Sequence, residues 1–133
     1  MATIKVKDSN GNWTVSPIIH KDSVYSTTEQ IIGQWIDGKP IYRKVVDFGY
    51  LPNATSKTVA HGISNFDMLT SVQAIATQSA AWGFSIPFIG GSNISTGNSV
   101  TVWLDGTNVL INSNNDRSSL YCYVIIEYTK TTD

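Results

Sequence analysis

Side chains able to do acid, base or nucleophilic chemistry are few and scattered in this chain: two histidines, one cysteine and ten carboxylates in 133 residues. Catalysis needs a group whose pKa or nucleophilicity is tuned by close neighbours. His20 falls in a connector and His61 precedes a glycine at a strand end, neither with a second ligand at zinc spacing. His61 therefore reads as a local hydrogen-bonding residue. Asp37, Asp105 and Asp116 each have an ordinary turn explanation. Neither a phosphate-cradling glycine loop followed by Lys-Ser/Thr nor a Gly-x-Ser-x-Gly elbow occurs. The expectation is a protein that is not an enzyme, with no catalytic residue, no metal and no cofactor. Two carboxylates brought together from distant positions, as a glycan depolymerase would need, remain the alternative.

Binding chemistry is better represented. Pyranose rings have an apolar face and a hydroxyl rim, so sugar recognition pairs an exposed aromatic plate with amide and carboxylate groups. Trp82, Trp103 and the run Asn114, Asn115, Asp116, Arg117 supply those groups if the fold brings them together. The competing reading makes both tryptophans packing residues and the run a solvated turn.

Charged residues reach only 14%, whereas Ser, Thr and Asn together supply 39 of 133 residues. Such short neutral groups suit β surfaces and turns. Net charge is −1 with no basic run, which argues against nucleic acid as a partner. No hydrophobic stretch approaches a membrane span and the N-terminus lacks a signal-peptide core, so synthesis in a cytoplasm without membrane insertion is expected. Cys122, the lone cysteine, cannot form an intrachain disulfide and reads as a small buried hydrophobe.

The elements that must carry these residues read as strands. Short apolar runs alternate with Gly, Asn and Asp turns, and no segment sustains helical periodicity. Residues 1–23 form an N-terminal hairpin, with arms at Thr3 to Lys7 and Trp13 to Val15, and a connector from Pro17 to Asp22. Residues 24–133 form the main domain. A short turn at Ser26 to Gln30 precedes Ile31 to Ile36 and Pro40 to Phe48, which flank the hairpin signal Asp37-Gly38. Ser56 to Ala60 and Met68 to Thr77 follow, then a connector from Ser79 to Trp82. The run from Phe84 to Ile89 contains Pro87 and belongs at a sheet edge or carries a bulge. A polar loop through Gly90 to Asn98 leads to Val100 to Leu104 and Val109 to Ile111, and the last strand runs from Leu120 to Thr129. Neither face of that strand is plainly polar: Tyr121, Tyr123 and Ile125 lie opposite Cys122, Val124 and Ile126. Burial on both sides within one sandwich explains this, and so does an oligomer interface through Tyr121, Tyr123 and Ile125. Eight or nine strands point to an all-β, antiparallel β-sandwich, jelly-roll-like in type.

Three blocks carry a resemblance: Tyr25-Ser26-Thr27-Thr28-Glu29-Gln30, Gly33-Gln34-Trp35-Ile36-Asp37-Gly38-Lys39-Pro40-Ile41-Tyr42-Arg43-Lys44, and Tyr128-Thr129-Lys130-Thr131-Thr132-Asp133. They resemble the C-terminal domains of tail-fibre, receptor-binding and baseplate-associated proteins of phages and prophages of Gram-positive gut bacteria. Ile4 to Trp13 is similar to the short segment that precedes repeats in such proteins. The resemblance implies a homotrimer in the virion, with other virion proteins and a host-surface glycan as partners. A capsid- or tail-decorating protein with no receptor role is the alternative it leaves open.

Overall fold

The computed structural model describes residues 3–7, 9–17, 24–79, 82–87 and 98–133. Among these the chain is all-β, with ten strands: β1 (Thr3–Lys7), β2 (Trp13–Pro17), β3 (Gln30–Gln34), β4 (Pro40–Tyr50), β5 (Ser56–Ala60), β6 (Phe66–Ser79), β7 (Trp82–Ile86), β8 (Val100–Leu104), β9 (Asn108–Ser113) and β10 (Tyr121–Lys130). That is more than the eight or nine expected. Trp82 opens β7 instead of closing a connector, and β6 extends beyond the expected Met68 to Thr77 at both ends. The connector beyond Pro17, His20 with it, and the polar loop from Gly90 to Gly97 lie outside the described residues.

Turn chemistry explains the hairpins. In the β3–β4 turn, Gly38 takes a left-handed φ of 88°, and the Asp37 carboxylate accepts from the Lys39 amide at 3.0 Å. Asp105 does the same between β8 and β9, accepting from the amides of Thr107 at 2.8 Å and Asn108 at 2.6 Å. Ahead of β3 the Ser26 hydroxyl accepts from the Thr28 amide, so the capping-like pattern closes a serine turn.

Strands β1 and β2 pair as a separate antiparallel hairpin. The remaining strands form two antiparallel sheets, in the orders β3-β4-β10-β6-β7 and β5-β9-β8. Alternation along each strand sends one set of side chains between the sheets. Val46, Phe48, Ala74, Ala76, Ile86, Cys122, Val124 and Ile126 come from the first, and Val100, Val109 and Ile111 from the second. The two sheets thus share one core, as a β-sandwich does. Strand β7 is an edge strand that stops before Pro87, in agreement with the missing donor there.

Two features close the sandwich. A row of stacked rings crosses it: His61 on Phe66 at 5.5 Å, Phe66 on Tyr128 at 5.6 Å, and Tyr128 on Tyr42 at 5.8 Å. Lys130 covers the outer end of the row, 5.0 Å from the Tyr42 ring. Along the other side, Lys44 of β4 donates to the His61 carbonyl at 2.7 Å. Lys57 of β5 donates in return to the Phe48 and Tyr50 carbonyls of β4, at 3.1 and 2.7 Å. Past the reach of β3, β4 would otherwise present unpaired carbonyls, and Lys57 occupies them.

Candidate functional site

Strand β10 lies at the centre of the five-stranded sheet, between β4 and β6, and its two faces meet different surroundings. Cys122, Val124, Ile126 and Tyr128 point into the core and are fully buried. Tyr121, Tyr123 and Ile125 point outward, with Tyr123 41% exposed. Burial of both faces inside one sandwich, the simpler of the two readings of this strand, is therefore not what the chain adopts. The Tyr121 ring meets Tyr50 edge-on at 5.1 Å and tilts against Tyr123 at 5.3 Å. Ile75 of β6 stands opposite Tyr123, and Val45 of β4 opposite Ile125. An apolar, tyrosine-rich strip results on the outer surface.

Asp47 borders this strip and accepts a hydrogen bond from the Tyr121 hydroxyl at 2.5 Å. That bond stabilises the neutral phenol beside a carboxylate, so the Tyr121 pKa rises from 10.0 to about 12. The sequence did not single out Asp47 or Tyr50. Their involvement depends on the register shift at Cys122/Tyr123, which no local pattern announces.

The expected sugar-binding set separates into two places. At one end of the sandwich, Trp82 meets Phe84 edge-on at 5.8 Å, and the Arg117 guanidinium lies 5.7 Å from the centre of the same ring. Phe84, missed by the sequence reading, is the link between them. The run from Asn114 to Arg117 sits beside it, but much of its polar capacity serves the loop. Asp116 accepts from both the amide and the hydroxyl of Ser118, which holds its carboxyl below the usual range. The Asn115 amide group bonds the Asn98 side chain, its carbonyl accepts from the Ala54 amide, and the Arg117 amide donates to the Pro52 carbonyl. For Asp116 the turn reading is the one realised.

Trp103 is elsewhere. It leaves β8 on the outer face of the three-stranded sheet, because its neighbours Val102 and Leu104 pack on the core. The indole is 61% exposed and has no hydrogen-bond or ring partner among the described residues. Around it on that face stand Thr101, Leu110 opposite it on β9, Asn108, Asn112 and Thr58. None of these carries a charge. A flat aromatic plate amid amides and hydroxyls is the arrangement a pyranose can stack on.

His61 is buried and serves the structure locally, as its sequence context suggests. Its Nδ1 accepts from the Ile63 amide at 3.1 Å, which leaves the proton on Nε2 to be donated to the Asp105 carbonyl at 3.0 Å. Cys122 is a free thiol in the core, its pKa pushed up to about 12 by burial. Among the described residues, no group of three His, Cys, Asp or Glu is placed to hold a metal ion, and no helix is long and apolar enough to cross a membrane. No protein-family model matches this sequence, and comparison with curated proteins and with solved structures finds no match.

Proposed function

We propose that the chain is a trimeric structural domain of a phage tail fibre or tail tip that attaches to a host-surface glycan, without enzymatic activity. The observation that carries this reading is the contrast between the two outer faces. One is an apolar, tyrosine-rich strip centred on Tyr121, Tyr123 and Ile125, suited to a second and third copy of the same chain. The other presents the exposed Trp103 among the uncharged Thr101, Asn108, Leu110, Asn112 and Thr58, suited to a sugar ring. Shallow sites of this kind bind weakly one at a time and gain strength when three are held together.

The motif blocks that resemble tail-fibre domains support the setting in a virion. Strand order supports the jelly-roll type: the chain changes sheet after β4, β5, β7 and β9, so that β4-β10-β6 in one sheet accompany β5-β9 in the other. The main titratable groups are spent on local structure, His61 and Asp105 on a turn and Asp67 on Lys39 and Thr129, which favours binding over catalysis. Labelled antibody against the chain, applied to intact particles, tests the assignment. Decoration of the distal tail tip is expected, and decoration of the capsid surface would replace attachment by a purely structural role.

A further inference from the structure

Trp103 shares its face of the three-stranded sheet with one other large apolar side chain, Leu110. Val59, Val102, Leu104, Val109 and Ile111 pack on the core, so the alternate positions of β5, β8 and β9 point outward, and Leu110 is the half-buried one among them. It stands directly opposite Trp103 in the β8–β9 register and opposite Thr58 in the β5–β9 register. Opposed residues hold their Cβ atoms about 5 Å apart, and diagonal neighbours such as Trp103 and Asn112 about 7–8 Å. Asn108 and Asn112 flank Leu110 along β9 on the same face. The Asn112 side chain is oriented by its neighbour: Nδ2 donates to the Ser56 hydroxyl at 2.8 Å, and Oδ1 has no donor among the described residues. An apolar spot therefore adjoins the aromatic plate, with an amide carbonyl beside it.

These neighbours discriminate between classes of sugar. A plain hexose stacked on Trp103 turns hydroxyls toward Leu110, and an apolar side chain cannot replace the water they lose. A sugar acid finds no Lys or Arg at the outward positions of the three strands to pair with. It also meets Asp105, two residues beyond Trp103, whose carboxyl is held below its ordinary value by the Thr107 and Asn108 amides and is ionised. An acetamido substituent suits both neighbours. Its trans amide places the N–H and the methyl on the same side of the C–N bond, so the two groups can face consecutive outward residues of one strand, the methyl over Leu110 and the N–H toward Asn112. We propose that this face selects a neutral acetamido sugar, its ring on Trp103, its methyl on Leu110 and its amide N–H on the Asn112 carbonyl. This preference rests on the attachment reading of Trp103 and adds the class of sugar.

Titration of the intact protein with the methyl glycosides of N-acetylglucosamine, glucose and glucuronic acid, followed through NMR shifts of the Trp103 indole and the Leu110 and Asn112 amides, tests this. The three probes share one ring and differ in a single substituent. The acetamido glycoside is expected to shift all three signals saturably and to bind about tenfold more tightly than the glucoside, with the glucuronide weakest. Leu110→Thr keeps a residue suited to a strand and should reduce the acetamido glycoside to the affinity of the glucoside, leaving the glucoside as it was. Asn112→Ala, at an exposed position, should weaken the acetamido glycoside alone, by about threefold, at unchanged melting temperature. Equal affinity for the two neutral glycosides, tighter binding of the glucuronide, or a preference that survives both variants would overturn the acetamido assignment and leave attachment through Trp103 in place. Absence of any saturable shift would overturn it as well, and attachment falls with it only if the folded protein also fails to bind host cells.

Discussion

Replacing Trp103 by alanine separates binding from folding more cleanly than any other single change. The indole is 61% exposed, and a tryptophan presents up to about 250 Å² in all, so about 150 Å² is open to a ligand. A pyranose lying on one face of the ring covers about half of that. At about 25 cal/mol per Å², the lost contact is worth about 2 kcal/mol, or about a 30-fold loss of affinity per site. Linked sites lose more, since each weakened contact lowers the gain from the others. Folding should suffer little: the side chain has no hydrogen-bond or ring partner among the described residues, and an exposed strand position costs about 1 kcal/mol at most in β propensity. Calorimetry with a receptor-derived oligosaccharide and a thermal melt of the same sample measure both quantities, and Trp103→Phe should recover part of the affinity. Wild-type affinity in Trp103→Ala would refute the stacking argument. So would a loss of binding that comes only with a large fall in melting temperature.

Paired changes of Tyr121 and Tyr123 to serine should turn the proposed trimer of 14.5 kDa chains into monomers in light scattering, and unchanged mass would free the tyrosine strip from the interface. Lys57→Met strips the donor from two β4 carbonyls, one of them on the buried Phe48, and should cost about 2–3 kcal/mol in urea unfolding. Lys57→Gln should cost less, and a wild-type midpoint in Lys57→Met would contradict the clasp. Asp67, Asp105 and Asp116 are held below the ordinary carboxylate value of 3.8, the first chiefly by Lys39 and the other two by bonds within their own turns. Because the folded state then binds these protons less readily than the unfolded chain, their contribution is complete above that value and disappears as pH falls through the lowered folded pKa values. Thermal midpoints should therefore drop below about pH 4, and a flat or rising profile there would contradict the assignment.

The strands were legible because their signals are local. Asp37-Gly38 and Asp105-Gly106 mark both main hairpins, and the alternation of Val100, Val102 and Leu104 against Trp103 already put the indole on the outside. Strand β10 was visible as two-faced, yet which side stays uncovered depends on how β5, β9 and β8 pack across the core. That is a non-local property no window of sequence contains. The binding set divided for the same reason: Trp82 and Arg117 meet through Phe84 because the start of β7 and the β9–β10 loop share one end of the sandwich, while Trp103 belongs to the other sheet. Lys44 and Lys57 read as ordinary surface lysines in isolation. Only the gap beside β4 gives them acceptors to reach for.

The central claim is attachment, and adsorption competition tests it most directly. Purified protein in its native assembly, added to host cells ahead of particles, should bind the cells and slow particle adsorption in proportion to its occupancy, with Trp103→Ala far less effective. An assembled, folded protein that neither binds host cells nor delays adsorption would contradict the account.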